Sequence, residues 1–147
     1  MKKGVRLRLK IHNILYDIYK FGKKLDDHDI AKKINTDNKK DISFIYNVCL
    51  FCMRYNFHLE NIIKKYLKKK SKVHQSILLK SAITQIVFLN FKEYAVIDNS
   101  VELAKLLKVY HSLINASLKN ICKDKKILQN LKIKYKDLPF WFRKQTT

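Results

Sequence analysis

Cys49-x-x-Cys52 is the first arrangement in this sequence with the look of chemistry, since two thiolates at that spacing can share a metal ion or cycle through a disulfide. A structural zinc site needs four ligands, however, and the chain offers neither a second cysteine pair nor a closely spaced histidine pair. His12, His28, His58, His74 and His111 are scattered, and Cys122 stands alone. Asp98 and Glu102 are one helical turn apart, but no further titratable partner accompanies them, and carboxylates near a helix start are favoured electrostatically without catalysis. With only Gly4 and Gly22, no glycine-rich loop can cradle a nucleotide or a methyl donor, and no G-x-S-x-G elbow occurs. The expectation is therefore no catalytic residue, no metal and no cofactor.

What remains is positive charge. Lys2, Lys3, Arg6, Arg8 and Lys10 crowd the start of the chain, with Arg6 and Lys10 one turn apart. Arginine can grip a phosphate with a fork of donors, so this stretch is the candidate RNA-binding ridge, set against the plainer reading of a solvated face. Lys64, Lys65, Lys68, Lys69 and Lys70 form a second cluster, which favourable placement at a helix C-terminus would explain, although it could also meet RNA. The net charge of +20 attracts polyanions, chiefly nucleic acid or an anionic membrane surface. Lysine outnumbers arginine heavily among the 32 basic residues, as an A+T-rich genome encodes, so part of the charge is compositional.

Helices must position these groups. Two glycines and one proline are too few for the turns of a sheet protein, and 47% hydrophobic residues are enough for one buried core in 147 residues. Leu7, Ile11, Ile14, Leu15 and Ile18 predict a helix over residues 5–21, with Gly22 as its left-handed stop. Asp26-Asp27 could cap a short helix through Ile34. From Asp41, the expected N-cap, apolar or small residues recur through Ile45, Cys49, Cys52, Leu59, Ile63 and Tyr66, predicting one long helix to about Lys69 with both cysteines on its buried face. Ser76–Leu89 is apolar on every side yet too short to span a bilayer, so it must be the post around which the other helices pack. Helices over residues 94–109, where Ala104 permits close approach, and 111–122 complete an all-α bundle of about six. Three cysteines, no secretory leader and no run of 18 apolar residues point to a soluble protein of a reducing, cytoplasmic compartment, with no membrane partner.

Several spacings resemble the NusB-like domain, which stands alone as an antitermination factor and also forms the front of RsmB-type rRNA cytosine-5 methyltransferases. Ala95-Val96-Ile97-Asp98-Asn99-Ser100-Val101-Glu102-Leu103-Ala104-Lys105 is similar to its A-x-V/I-N-x-S/A-V-E-L-A-K helix, with Asp98 replacing the usual Asn. Leu113-Ile114-Asn115-Ala116 resembles its L-V/I-N-A, and Leu79 to Leu89, with Gln85, its L-R-x-G/A-x-Y-Q-L-L-F-L. Asp41-Ile42-Ser43-Phe44, continuing to Arg54, and Leu138-Pro139-Phe140-Trp141 resemble the methyltransferase branch, the latter its connection to the catalytic half. The arginines of the first helix are reduced to Arg6 and Arg8, Phe51 replaces a usual Gly, and Lys92 stands where Pro is common.

The resemblance implies an RNA-binding domain over residues 5–125, with 126–147 as a tail leading toward a methyltransferase domain absent from this sequence. The implied partners are RNA, rRNA or pre-rRNA, and a separate methyltransferase domain. The alternatives are an antitermination factor acting with a small ribosomal protein, and a helical protein-interaction module.

Overall fold

The computed structural model describes residues 1–25 and 32–130, and among these every regular element is helical. Helix α1 (Lys3–Phe21) ends at Gly22, whose φ of 67° is the left-handed conformation glycine adopts without a Cβ clash. Residues 32–34 form one helical turn, and the proposed Asp26-Asp27 cap lies outside the described residues. Then come α2 (Lys39–Arg54), α3 (Asn56–Tyr66), α4 (Val73–Ile83), α5 (Glu93–Leu106), α6 (His111–Lys123) and the short α7 (Lys125–Asn130). The motif at 138–141 also lies outside the described residues.

The central-post expectation holds. Between Ile77 and Val87 no residue is more than 7% exposed, and α4 with its continuation touches α1, α2, α3, α5, α6 and α7. Burial on every side follows from apolar character on every side. Its last turn differs from a plain helix: Thr84–Phe88 is π-helical, closed by Leu89 N–H to the Thr84 carbonyl at 3.0 Å. Helices α5 and α6 form the most extensive pair, and Ala104 of α5 is fully buried.

Two expectations are corrected. The single long helix from Asp41 is two helices, because Tyr55 (φ −112°, ψ 27°) leaves helical geometry. The backbone bonds from Tyr55 N–H to Phe51 and from Leu59 N–H to Tyr55 survive the break, so the apolar spacing runs on and hides it. The break turns Asn56 and Glu60 toward the buried Lys80 of α4, whose Nζ reaches Asn56 Oδ1 at 2.7 Å and Glu60 Oε1 at 3.1 Å while lying over the Tyr19 ring. A buried ammonium needs such company. Phe51 fills the corner by stacking on Phe88 and leaning on Tyr55.

Secondly, Asp41 is not the N-cap of α2. Asn38 is, its Oδ1 accepting from Asp41 N–H at 3.1 Å, which leaves the Asp41 carboxylate in the first turn where the helix dipole favours it.

Candidate nucleic-acid interface

The basic start of the chain lies against α5, where a Cβ on Gly4 would fall 2.7 Å from Asn99 Nδ2, so any larger residue there would have to displace the Asn99 side chain. Lys2, Lys3 and Arg6 are exposed, and Lys3 pairs with Asp41 at 3.3 Å. These three form the outward ridge.

Arg8 and Lys10, grouped with them by sequence, have other engagements. Arg8 Nε donates to Gln85 Oε1 at 2.9 Å and Nη1 to the Gly4 carbonyl, while the guanidinium lies 5.3 Å over the Phe44 ring. Burial lowers its pKa to about 10, which leaves it charged at neutral pH. Lys10 Nζ donates to the carbonyls of Ile34 and Asn35, closing the C-terminal end of the 32–34 turn. Gln85 is held in turn by Ser81, its Nε2 donating to both the carbonyl and Oγ. The π-helical turn thus presents a polar side chain, itself 1% exposed, to the base of the basic ridge.

Of the remaining motif positions, Glu102 pairs with Lys105 at 3.4 Å on the exposed side of α5, and Asp98 is also exposed there. Asn115 on α6 and Arg54 in the last turn of α2 are half-buried. Their shared motif does not make one site: Asp41 and Gln85 meet α1, whereas Glu102 and Lys105 lie farther along α5.

Cys49 and Cys52 are fully buried, and burial pushes both thiols up, Cys52 to about 12 even though it contacts Thr84 Oγ1 at 3.4 Å. Such thiols stay protonated and inert, as small apolar side chains do. Cys122 is half-buried and also raised, to about 11, chiefly by burial. Among the described residues no three His, Cys, Asp or Glu side chains gather as a metal would need, and no helix is long and apolar enough to cross a membrane.

Two features escaped the sequence. The fold brings His12 and His74 together, Nε2 to Nδ1 at 2.9 Å, with His74 stacked on Tyr16. No periodicity could show this, because the two sit on different helices 62 residues apart.

The second is a concave space of about 1030 Å³ bounded by the loop after α3, the start of α4 and the turn between α5 and α6. Lys68, Lys69, Lys70, Lys72, Lys105 and Lys108 line it. The macrodipole explanation fits only Lys64 and Lys65, since α3 stops at Tyr66 and the later lysines lie beyond its last turn. The signal was visible as a lysine run; what could not be seen was that Lys105 and Lys108 face it.

The class that this architecture defines is an all-helical bundle closed around a helix buried from Ile77 to Val87, with basic residues at the start of its first helix. Consistently, the sequence model described as the NusB family matches residues 6–123, and the chain belongs to the NusB family. Membership implies RNA binding. A comparison with curated proteins finds no match.

Proposed function

We propose that this protein docks RNA through Lys2, Lys3 and Arg6, and that it serves as the RNA-recognition module of an rRNA cytosine-5 methyltransferase whose catalytic domain lies outside residues 1–147. The carrying observation is the division of labour on α1: Arg8 and Lys10 are spent on Gln85 and the 32–34 turn, while Lys2 and Arg6 stay exposed beside them, as does Lys3 despite its pairing with Asp41. Arg8 and Gln85 stiffen the base of the ridge, and the outer cations meet phosphates, which supply position and affinity rather than sequence. The methyltransferase branch is supported by the Asp41-x-x-Phe44 pattern, both of whose defined residues engage α1: Asp41 pairs with Lys3, and the Phe44 ring lies beneath Arg8. Leu138-Pro139-Phe140-Trp141 supports the same branch in sequence.

The test is binding to small-subunit rRNA fragments by the parent and by the triple variant Lys2→Gln, Lys3→Gln, Arg6→Gln. If each residue contacts one phosphate of a single strand, the slope of log K against log salt should flatten by about two. An unchanged slope overturns the ridge. For the branch, the chain added in trans should raise methyl transfer to rRNA by an isolated RNA cytosine-5 methyltransferase domain. Affinity for leader RNA that rises only with a small ribosomal protein would favour antitermination instead.

A further inference from the structure

The cleft at the start of α4 is a second cationic region, distant from the ridge. From Gln75, in its wall, to Gln85, beneath Arg8, the central helix runs ten residues, roughly 15 Å at 1.5 Å each. Among the described residues, six lysines line the cleft and no Asp or Glu does. Two carboxylates come near, that of Glu102 on Lys105 at 3.4 Å and that of Asp124, which accepts from the hydroxyl of the lining Tyr66 at 2.7 Å. Elsewhere four single bases each meet a single acid, in Lys3–Asp41, Lys33–Asp17, Lys80–Glu60 and Lys125–Glu93. A second hollow on the far side of the same lysine loop does include Glu60, so the absence of acid is particular to the cleft. Six ammonium groups around a concavity repel one another unless an anion enters.

Its aromatic lining narrows the choice of anion. Tyr110 is 73% exposed at the rim, and His74, also exposed, is pinned by His12 at 2.9 Å and by Tyr16, with ring centroids 5.0 Å apart and planes 13° from parallel. His74 is thus taken up by its own stack, and the exposed Tyr110 ring beside lysines is the one that can offer a base a stacking face while its phosphates are neutralised. Lys108 adds a second sign of a positioned charge. It sits at φ 57° in the left-handed position closing α5, with Val109 N–H bonded to Ala104 and Lys108 N–H to Lys105, where glycine would be unstrained.

We propose that this cleft is a second RNA-contact surface, binding the phosphodiester backbone of single-stranded RNA with a base stacked on Tyr110. It rests on the reading of the chain as an RNA-binding protein and extends the RNA's path from the ridge to the other end of α4.

Three triples of equal charge separate the possibilities in the full chain, each measured with a single-stranded RNA 20-mer by fluorescence anisotropy across a salt series. The cleft triple is Lys68→Gln, Lys70→Gln, Lys108→Gln; the ridge triple is Lys2→Gln, Lys3→Gln, Arg6→Gln; the control is Lys24→Gln, Lys119→Gln, Lys126→Gln, all exposed and outside both regions. The cleft triple should weaken binding on the order of tenfold or more at physiological salt and flatten the slope by about two, well beyond the control. Tyr110→Ala should cost roughly five- to a hundredfold by loss of stacking. Lys108→Gly should weaken binding while leaving the melting temperature equal or higher, which a purely structural lysine would not do. Equal losses from cleft and control overturn the proposal. Loss from the ridge triple alone overturns the cleft but not the ridge; loss from the cleft triple alone overturns the ridge and supports the cleft. If the cleft triple spares RNA binding and abolishes sedimentation with phosphatidylserine vesicles, the surface meets membranes and the proposal fails.

Discussion

Arg6 and Arg8 sit two positions apart on one helix and do different work. Arg8→Gln removes a charge-assisted bond to the buried Gln85 and the contact over Phe44, so it should cost about 1–3 kcal/mol in denaturant unfolding. Arg6→Gln, on an exposed side chain, should leave stability unchanged within about 0.5 kcal/mol. Sequence could not distinguish them, because the residue that recruits Arg8 is 77 positions away.

Lys80 poses a similar question. Glu60→Ala strips the buried ammonium of its carboxylate but leaves Asn56 and Tyr19, and Glu60 is 41% exposed, so the loss should be modest, about 1–2 kcal/mol. Lys80→Met keeps the stem's packing and removes the burden of burying a charge, so it should be closer to neutral. A larger loss for the methionine variant would show that the pair stabilises beyond its desolvation cost.

His12 gives the protein an acid sensitivity. Its pKa is held at about 4 against an ordinary 6.5, first by burial and then by His74, and its Nδ1 has no hydrogen-bond partner among the described residues. Between those values the unfolded chain binds the extra proton, so this residue's contribution is complete above about pH 6.5 and is lost as pH falls toward 4, up to ~3 kcal/mol. In paired titrations of melting temperature, His12→Leu should decline less than the parent over that window.

At the scale of elements, α4 was the most legible part of the chain and the 41–69 segment the least. Apolar character all round can only mean burial all round, and Ile83, fully buried, should not tolerate Ile83→Asp. That change should cost several kcal/mol in urea unfolding, because the carboxylate finds no partner there. Cys49→Ala removes a single sulfur from the same core and should cost far less, about 1–2 kcal/mol.

The long helix failed for a specific reason. Its apolar residues do lie on one buried face, Ile45, Cys49, Cys52 and Leu59 included, so the periodicity was right. The helix breaks at Tyr55, and just beyond the break Asn56 and Glu60 meet Lys80, 24 and 20 residues further along, a tertiary contact that carries no local signature. The ridge was legible as charge but not as contact: five cations were visible, and which of them the fold had already engaged was not.

At the scale of the whole molecule, charge dominates. With +20 spread over 147 residues, self-repulsion opposes the folded state, and added salt screens it. Raising sodium chloride from about 0.05 to 0.5 M should therefore raise the melting temperature while weakening RNA binding. A melting temperature that falls with salt would mean that the visible ion pairs outweigh the unpaired lysines.

The π-helical turn at Thr84–Phe88 amounts to a slip in phase. An α-helix advances 100° per residue, so one surplus residue in this closing turn brings its last side chains, and the chain leaving it, round by up to about that angle. In an amphipathic helix such a slip would swing apolar groups into water. Here it costs little burial, because the segment before it is apolar in every direction and its neighbours close around it from every side. The uniformity that made α4 so easy to recognise also leaves its rotation unspecified by hydrophobicity. Its orientation is fixed instead by a few polar pins: Lys80 on Asn56 and Glu60, Gln85 on Arg8, and the Val87 carbonyl on Gln129. The post is held by its burial and aimed by its bonds.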